Sequence, residues 1–265
     1  MTTAGDYFRL IRVKDWIGGY FFLPLIGSIA STGISPALLG TAVVSMCLLA
    51  FCFVINNVAD TEIDRCHGGK CMSNKNPLAT KDMTLRGTWF LMAFLAIVPL
   101  AISLWSGALP FVFVICALFL FTAYSVRPFR LKERYLVDLA THGIMMGGLL
   151  FVIGYTLPSA EVSLISPDSL ALTALFTCIG CMALVVHQIG DYHEDFGHTP
   201  TSVVRMGKPW GWRVFVFFFI LSLVCLAMVH LVISLALWVL SGSASLFAIP
   251  LFLLRDEILH DFSSS

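Results

Sequence analysis

Apolar runs of about twenty residues recur along this sequence, and that repetition limits its fold more than any motif does. A bilayer core is about 30 Å thick, and a helix needs about twenty residues to cross it. The composition agrees: of 265 residues, 58% are hydrophobic and 12% charged, with mean hydropathy +0.89. A soluble domain usually has about half its residues apolar and about a quarter charged. The expected fold class is therefore all-α, a polytopic membrane helical bundle.

The predicted spans are residues 16–30, 38–60, 87–105, a fourth ending near 124, 135–155 and 170–191. Apolar sequence from 210 to 254 is long enough for two more, divided near His230 or at Ser241-Gly242-Ser243-Ala244-Ser245. All 16 Lys and Arg lie before the first span, in the loops after the second, fourth and sixth with the entrance to the seventh, or at Arg255. The other loops carry only Glu161 and Asp168. The positive-inside rule then puts the N-terminus and the basic loops in the cytoplasm. Arg255 continues the pattern only if the number of spans is even, so eight are expected rather than nine. Residues 1–15 carry Arg9, Arg12 and Lys14 without a small-x-small cleavage site, and read as a cytosolic amphipathic lead-in rather than a signal peptide. The 8 cysteines sit mostly in apolar helices, as small hydrophobes, and imply no disulfide framework.

The last turns of the second span carry Asn56-Asn57-Val58-Ala59-Asp60-Thr61-Glu62-Ile63-Asp64. Residues four apart share a helix face, so Asn56, Asp60 and Asp64 project together. Oxygen donors in that arrangement suit a hard cation such as Mg²⁺, which usually shares its ligands with substrate phosphates. The sixth span ends in His187-Gln188-Ile189-Gly190-Asp191-Tyr192-His193-Glu194-Asp195. Here Asp191 and Asp195 repeat the spacing, and His187 stands where Asn56 does. Two such motifs at one membrane face, four helices apart, read as a pseudo-repeat with halves of about 1–134 and 135–265 in one domain. Acidic side chains are costly in membrane segments. Two clusters facing one cavity are what a Mg²⁺-diphosphate ligand requires; the competing view is two unrelated solvated helix ends. Arg65, Lys70, Lys75, Lys81, Arg127, Arg130, Lys132 and Arg134 supply nearby positive charge, either as phosphate contacts or as ordinary membrane anchors. Cys66-His67 with Cys71 fits no zinc template, and His142 reads as a hydrogen-bonded interior residue.

The chain resembles the UbiA superfamily of intramembrane prenyltransferases. The resemblance rests on Arg9-Leu10-Ile11-Arg12…Trp16, Asn56-x-x-x-Asp60-x-x-x-Asp64, Asn76-Pro77-Leu78, Tyr124-Ser125…Pro128…Arg130-Leu131-Lys132, Gln188…Asp191…Asp195…Gly197 and Thr201…Val204…Gly207. It implies a bundle around a central cavity open sideways to lipid, capped on the cytosolic side by the loops after the second and sixth spans. It also implies Mg²⁺-dependent transfer of a prenyl group from an isoprenyl diphosphate to an apolar acceptor. On that resemblance, Asn56, Asp60, Asp64, Asp191 and Asp195 are the metal ligands. Asp60, Asp64, Asp191, Asp195 and Lys132 carry the chemistry, and Lys14, Asn56, Arg65, Tyr124, Arg130 and Gln188 meet the diphosphate. Three departures stand out. Asn57 replaces a common Asp, Asn76-Pro77 replaces the usual Arg-Pro, and eight spans are counted where nine are usual. A cyclase on the same scaffold, needing no acceptor, and a cation-coupled transporter are the alternative functions. No nucleic-acid partner is expected.

Overall fold

The computed structural model describes residues 4–66, 76–80, 83, 85–159, 162, 164–197 and 199–232, and every regular element among them is a helix. His67, Lys70, Cys71, Lys75, Lys81, Glu161, Arg255 and the 241–245 break lie outside the described residues. The chain forms two compact units, Met1–Arg130 with Val152–Val162, and Leu131–Phe151 with Ser163–Ser265.

In the first unit, α1 (Ala4–Ile11) and α2 (Val13–Trp16) form the lead-in, joined at Arg12 in the left-handed region (φ 51°). Trp16 is buried and its indole donates to the Ile11 carbonyl (2.8 Å). The predicted first span does not run unbroken. The segment around Gly18-Gly19 unwinds into turns, and α3 (Phe22–Thr32) begins only after it. Glycine carries the greatest backbone entropy cost in a helix, so a Gly pair is where the helix opens. Ser45 donates to the Phe21 carbonyl (3.0 Å), tying the start of α3 to the helix that follows.

The helix α4 (Ala37–Cys66) is longer than predicted. No Gly or Pro follows Gly40 in this stretch, so nothing stops the helix at Asp60. Its 30 residues span about 45 Å, and its polar last turns outreach a 30 Å hydrocarbon core. Helices α5 (Leu85–Ser106) and α6 (Ala108–Ser125) pack on α4 and on each other, with Gly107 alone between them at φ 142°.

In the second unit, a 3₁₀ turn (Leu131–Glu133) precedes α7 (Val137–Thr156), whose residues from Val152 onward belong to the first unit. A π turn at Ile144–Gly148 interrupts α7 where Gly147 lies against α8 (Pro167–Gly190): a Cβ there would sit 2.0 Å from the Phe176 carbonyl oxygen. Ser166 caps α8 by accepting from Ser169 N (3.2 Å), with Pro167 in the first turn, where its missing N–H costs nothing. Two short helices, α9 (Tyr192–Asp195) and α10 (Ser202–Met206), lead to α11 (Lys208–Val232), which packs along α8.

Among the described residues, α4 to α8 and α11 are the six helices long and apolar enough to cross a membrane. At 11 residues, about 16 Å, α3 is too short to do so alone. The outer faces confirm an apolar surrounding: Phe90 is 70% exposed and Trp105 94% on α5. A soluble surface rarely gathers such patches.

Candidate active site

The end of α4 brings together all three rungs of the first motif with two loop segments of the same unit. Asn56 Oδ1 accepts from Ser125 Oγ (3.1 Å). Arg130 donates from Nη2 to Asp60 Oδ1 (2.9 Å) and from Nη1 to the Ser125 carbonyl (3.2 Å). Arg130 takes the left-handed region (φ 39°), an uncommon backbone state for a residue with a Cβ. The pair is largely shielded, with the Arg130 and Asp60 side chains 8% and 16% exposed. One guanidinium thus fixes both the turn after α6 and the Asp60 carboxylate.

Asp64 is held from the other side. Asn76 Nδ2 donates to Asp64 Oδ2 and to the Asn57 backbone carbonyl, both at 2.9 Å. Asn76 Oδ1 in turn accepts from Leu78 N (3.1 Å), closing a tight turn of the type Asn favours. Arg65 reaches the Leu78 carbonyl with Nη2 (3.1 Å) and so holds the same turn. Asn57, fully enclosed, donates to the Leu10 carbonyl (2.8 Å) and ties the lead-in to α4. The Asn57 departure therefore has a local reason, since Asn57 uses an amide N–H that a carboxylate lacks. Asn76 uses both ends of its amide to join Asp64, the Asn57 carbonyl and Leu78 N. Lys14 is exposed on α2, and Tyr124 is half-buried at the end of α6.

In the second unit, Asp191 caps α8 and its carboxylate lies 3.4 Å from His187 Nε2, with both side chains open to solvent. Asp195 ends α9 and is buried. Gln188 points inward: Nε2 donates to Asp138 Oδ2 (2.8 Å) and Oε1 accepts from Val203 N (3.1 Å). Both ends of its amide are thus engaged within the unit. Lys132 is half-buried in the 3₁₀ turn, and Lys208 Nζ lies 5.7 Å from the centre of the Tyr192 ring. Ser125, Asn76, Lys208 and above all Asp138 were not among the predicted site residues. A lone carboxylate inside an apolar span was the signal available for Asp138.

The donor set fits a hard cation held in part by its substrate. Asp60 and Asp64 are one turn apart with Asn56 a turn before them, all oxygen donors. Among the described residues, no three His, Cys, Asp or Glu side chains gather closely enough to enclose a metal ion. Mg²⁺ binds through one or two carboxylates and completes its shell with water and phosphate, as Asp60 and Asp64 allow.

The chain is similar in structure to a UbiA homolog from Archaeoglobus fulgidus bound to GPP and Mg²⁺, with TM-score 0.78 and 21% identity over 95% of this chain and 87% of that one. A digeranylgeranylglyceryl phosphate synthase matches with TM-score 0.70 and 20% identity over 97% and 89%. An apo UbiA homolog from Aeropyrum pernix K1 matches with TM-score 0.60 and 20% identity over 79% and 74%. No curated protein sequence matches the chain significantly. At such identities the likeness establishes the fold. The sequence model of the UbiA prenyltransferase family covers residues 14–259 and so takes in both acidic motifs; the chain belongs to that family.

Proposed function

We propose that this protein transfers a prenyl group from an isoprenyl diphosphate to an apolar acceptor within the membrane, in a reaction that requires Mg²⁺. The observation that carries the reading is the pair of acidic ladders, Asp60/Asp64 at the end of α4 and Asp191/Asp195 following α8, each at the polar end of an apolar helix. The A. fulgidus homolog bound to GPP and Mg²⁺, and the same homolog bound to DMAPP and Mg²⁺, support it. Asn56, Asp60 and Asp64 would hold one ion, and Asp191 with Asp195 another. Magnesium, when bound, supplies positive charge to the diphosphate oxygens as the allylic C–O bond breaks.

The chain's own residues do the rest. The allylic C–O electron pair leaves with diphosphate, and a new bond to the acceptor forms at that carbon as the acceptor gives up a proton. Arg130 fixes Asp60, and Asn76 fixes Asp64, so two carboxylates face the ligand in set positions. Lys14, Lys132 and Arg65 offset remaining phosphate charge as it builds in the transition state. Tyr124 and Arg130 would meet the diphosphate, and Gln188, whose amide is engaged with Asp138 and Val203, would act from behind Asp191. On this reading, aromatic rings of the apolar spans would stabilise the allylic cation. The basic loops and N-terminus face the cytoplasm, in a bundle of eight or nine spans arranged as two pseudo-repeat halves.

Purified protein given labelled geranylgeranyl diphosphate and a membrane extract as acceptor source tests this. Asp60→Ala and Asp191→Ala are each expected to lower prenyl transfer by more than about 100-fold, and EDTA to abolish it. Wild-type turnover in either variant would defeat the scheme. A cyclic hydrocarbon formed without acceptor would convert the reading to cyclisation. Uptake into liposomes without prenyl chemistry would convert it to transport.

A further inference from the structure

Asp138 takes no part in the scheme above, yet four hydrogen bonds reach its carboxylate. It stands in the first turn of α7 and is 0% exposed. Oδ2 accepts from Gln188 Nε2 (2.8 Å) and from Ser202 N (2.9 Å). Oδ1 accepts from Leu139 N (2.8 Å) and from the Ser202 hydroxyl. Ser202 Oγ also accepts from Leu136 N (2.6 Å), and Gln188 Oε1 accepts from Val203 N (3.1 Å).

The consequence lies in what these bonds join. Gln188 is in the last turn of α8, three residues before Asp191, and Ser202 begins α10, seven residues after Asp195. One buried carboxylate therefore holds both ends of the segment that carries the second acidic motif. Bonds to a charged acceptor are about twice as strong as neutral ones, and their cost when unmade is larger still. Asp191 itself is partly open and its described neighbour His187 is weakly placed at 3.4 Å, so its position depends on the ends of its segment.

We infer that Asp138 is a positioning residue that sets the Asp191–Asp195 segment for metal-diphosphate binding by clamping Gln188 and Ser202. The inference rests on the prenyl-transfer reading. It differs from a plain folding role in what it alters: the Mg²⁺ requirement of ligand binding, not only the stability of the bundle.

The test uses the full-length protein in detergent with geranyl diphosphate as the probe, and reads the rise in unfolding temperature as Mg²⁺ is titrated. Asp138→Asn keeps the shape but offers one acceptor oxygen in place of two. It is expected to raise the half-saturating Mg²⁺ about tenfold or more, with the full temperature rise recovered at high Mg²⁺. Ser202→Ala removes one of the four bonds, and its expected shift is smaller and in the same direction. A folded Asp138→Asn protein with a Mg²⁺ requirement within about twofold of wild type would overturn the inference. If that variant does not fold, an unshifted Ser202→Ala would do so. A wild-type protein whose geranyl diphosphate binding ignores Mg²⁺ would remove the prenyl-transfer reading, and this inference with it.

Discussion

An aspartate in place of Asn57 would have no N–H to offer the Leu10 carbonyl and would set a negative charge 2.8 Å from it, in a site only 2% exposed. Burying an unpaired polar group costs about 1–3 kcal/mol, and a charge costs more. Asn57→Asp is therefore expected to lose at least about 3 kcal/mol of stability, read as a lower unfolding midpoint in detergent. Asn57→Ala loses the bond without adding the charge, and its midpoint is expected to fall less. A wild-type midpoint in Asn57→Ala would show that the Leu10 contact contributes nothing. The same atoms explain what the sequence could and could not tell. The four-residue ladder of Asn56, Asp60 and Asp64 is legible because helix geometry alone puts those side chains on one face. Asp138 was not legible, because its partners Gln188 and Ser202 lie 50 and 64 positions away. Locally Asp138 shows only a lone acid in an apolar span, a signal that marks the residue but not the partners it holds.

Among the elements, the helices were legible in their existence and less so in their ends. Residues 87–105 and 135–155 were read to within two residues of α5 and α7, since apolar length fixes them. Polarity does not mark the end of α4: Asp60 to Cys66 stays helical while Arg130 and Asn76 occupy its carboxylates. Close packing sets other features that hydropathy does not encode. A Cβ on Gly154 would lie 1.8 Å from the Pro24 carbonyl oxygen, so α7 approaches α3 backbone to backbone. Gly154→Ala must push these helices apart, at a cost of about 1–3 kcal/mol or more. Its expected signature is a smaller monodisperse peak in fluorescence-detected size exclusion after heating. A wild-type profile would mean that the two helices separate freely.

For the molecule as a whole, charge predicts which ends of the helices face the cytoplasm. Protease sites inserted after Ile165, in the loop before α8 that carries no Lys or Arg, should be cut from outside intact cells, and sites after Gly197 only from within. Cleavage of both from the same side would remove the topology on which a shared cytosolic site depends. If the two acidic ladders serve one ligand, they must meet it together, although each is built in its own unit from its own hydrogen bonds. Anomalous diffraction from crystals grown with Mn²⁺ and a non-hydrolysable geranyl diphosphate analogue would locate the ions. The expected result is metal density beside Asp60 and Asp64 and beside Asp191 and Asp195, both touching the same diphosphate. A diphosphate bound at one ladder with the other ladder facing bulk solvent would contradict it.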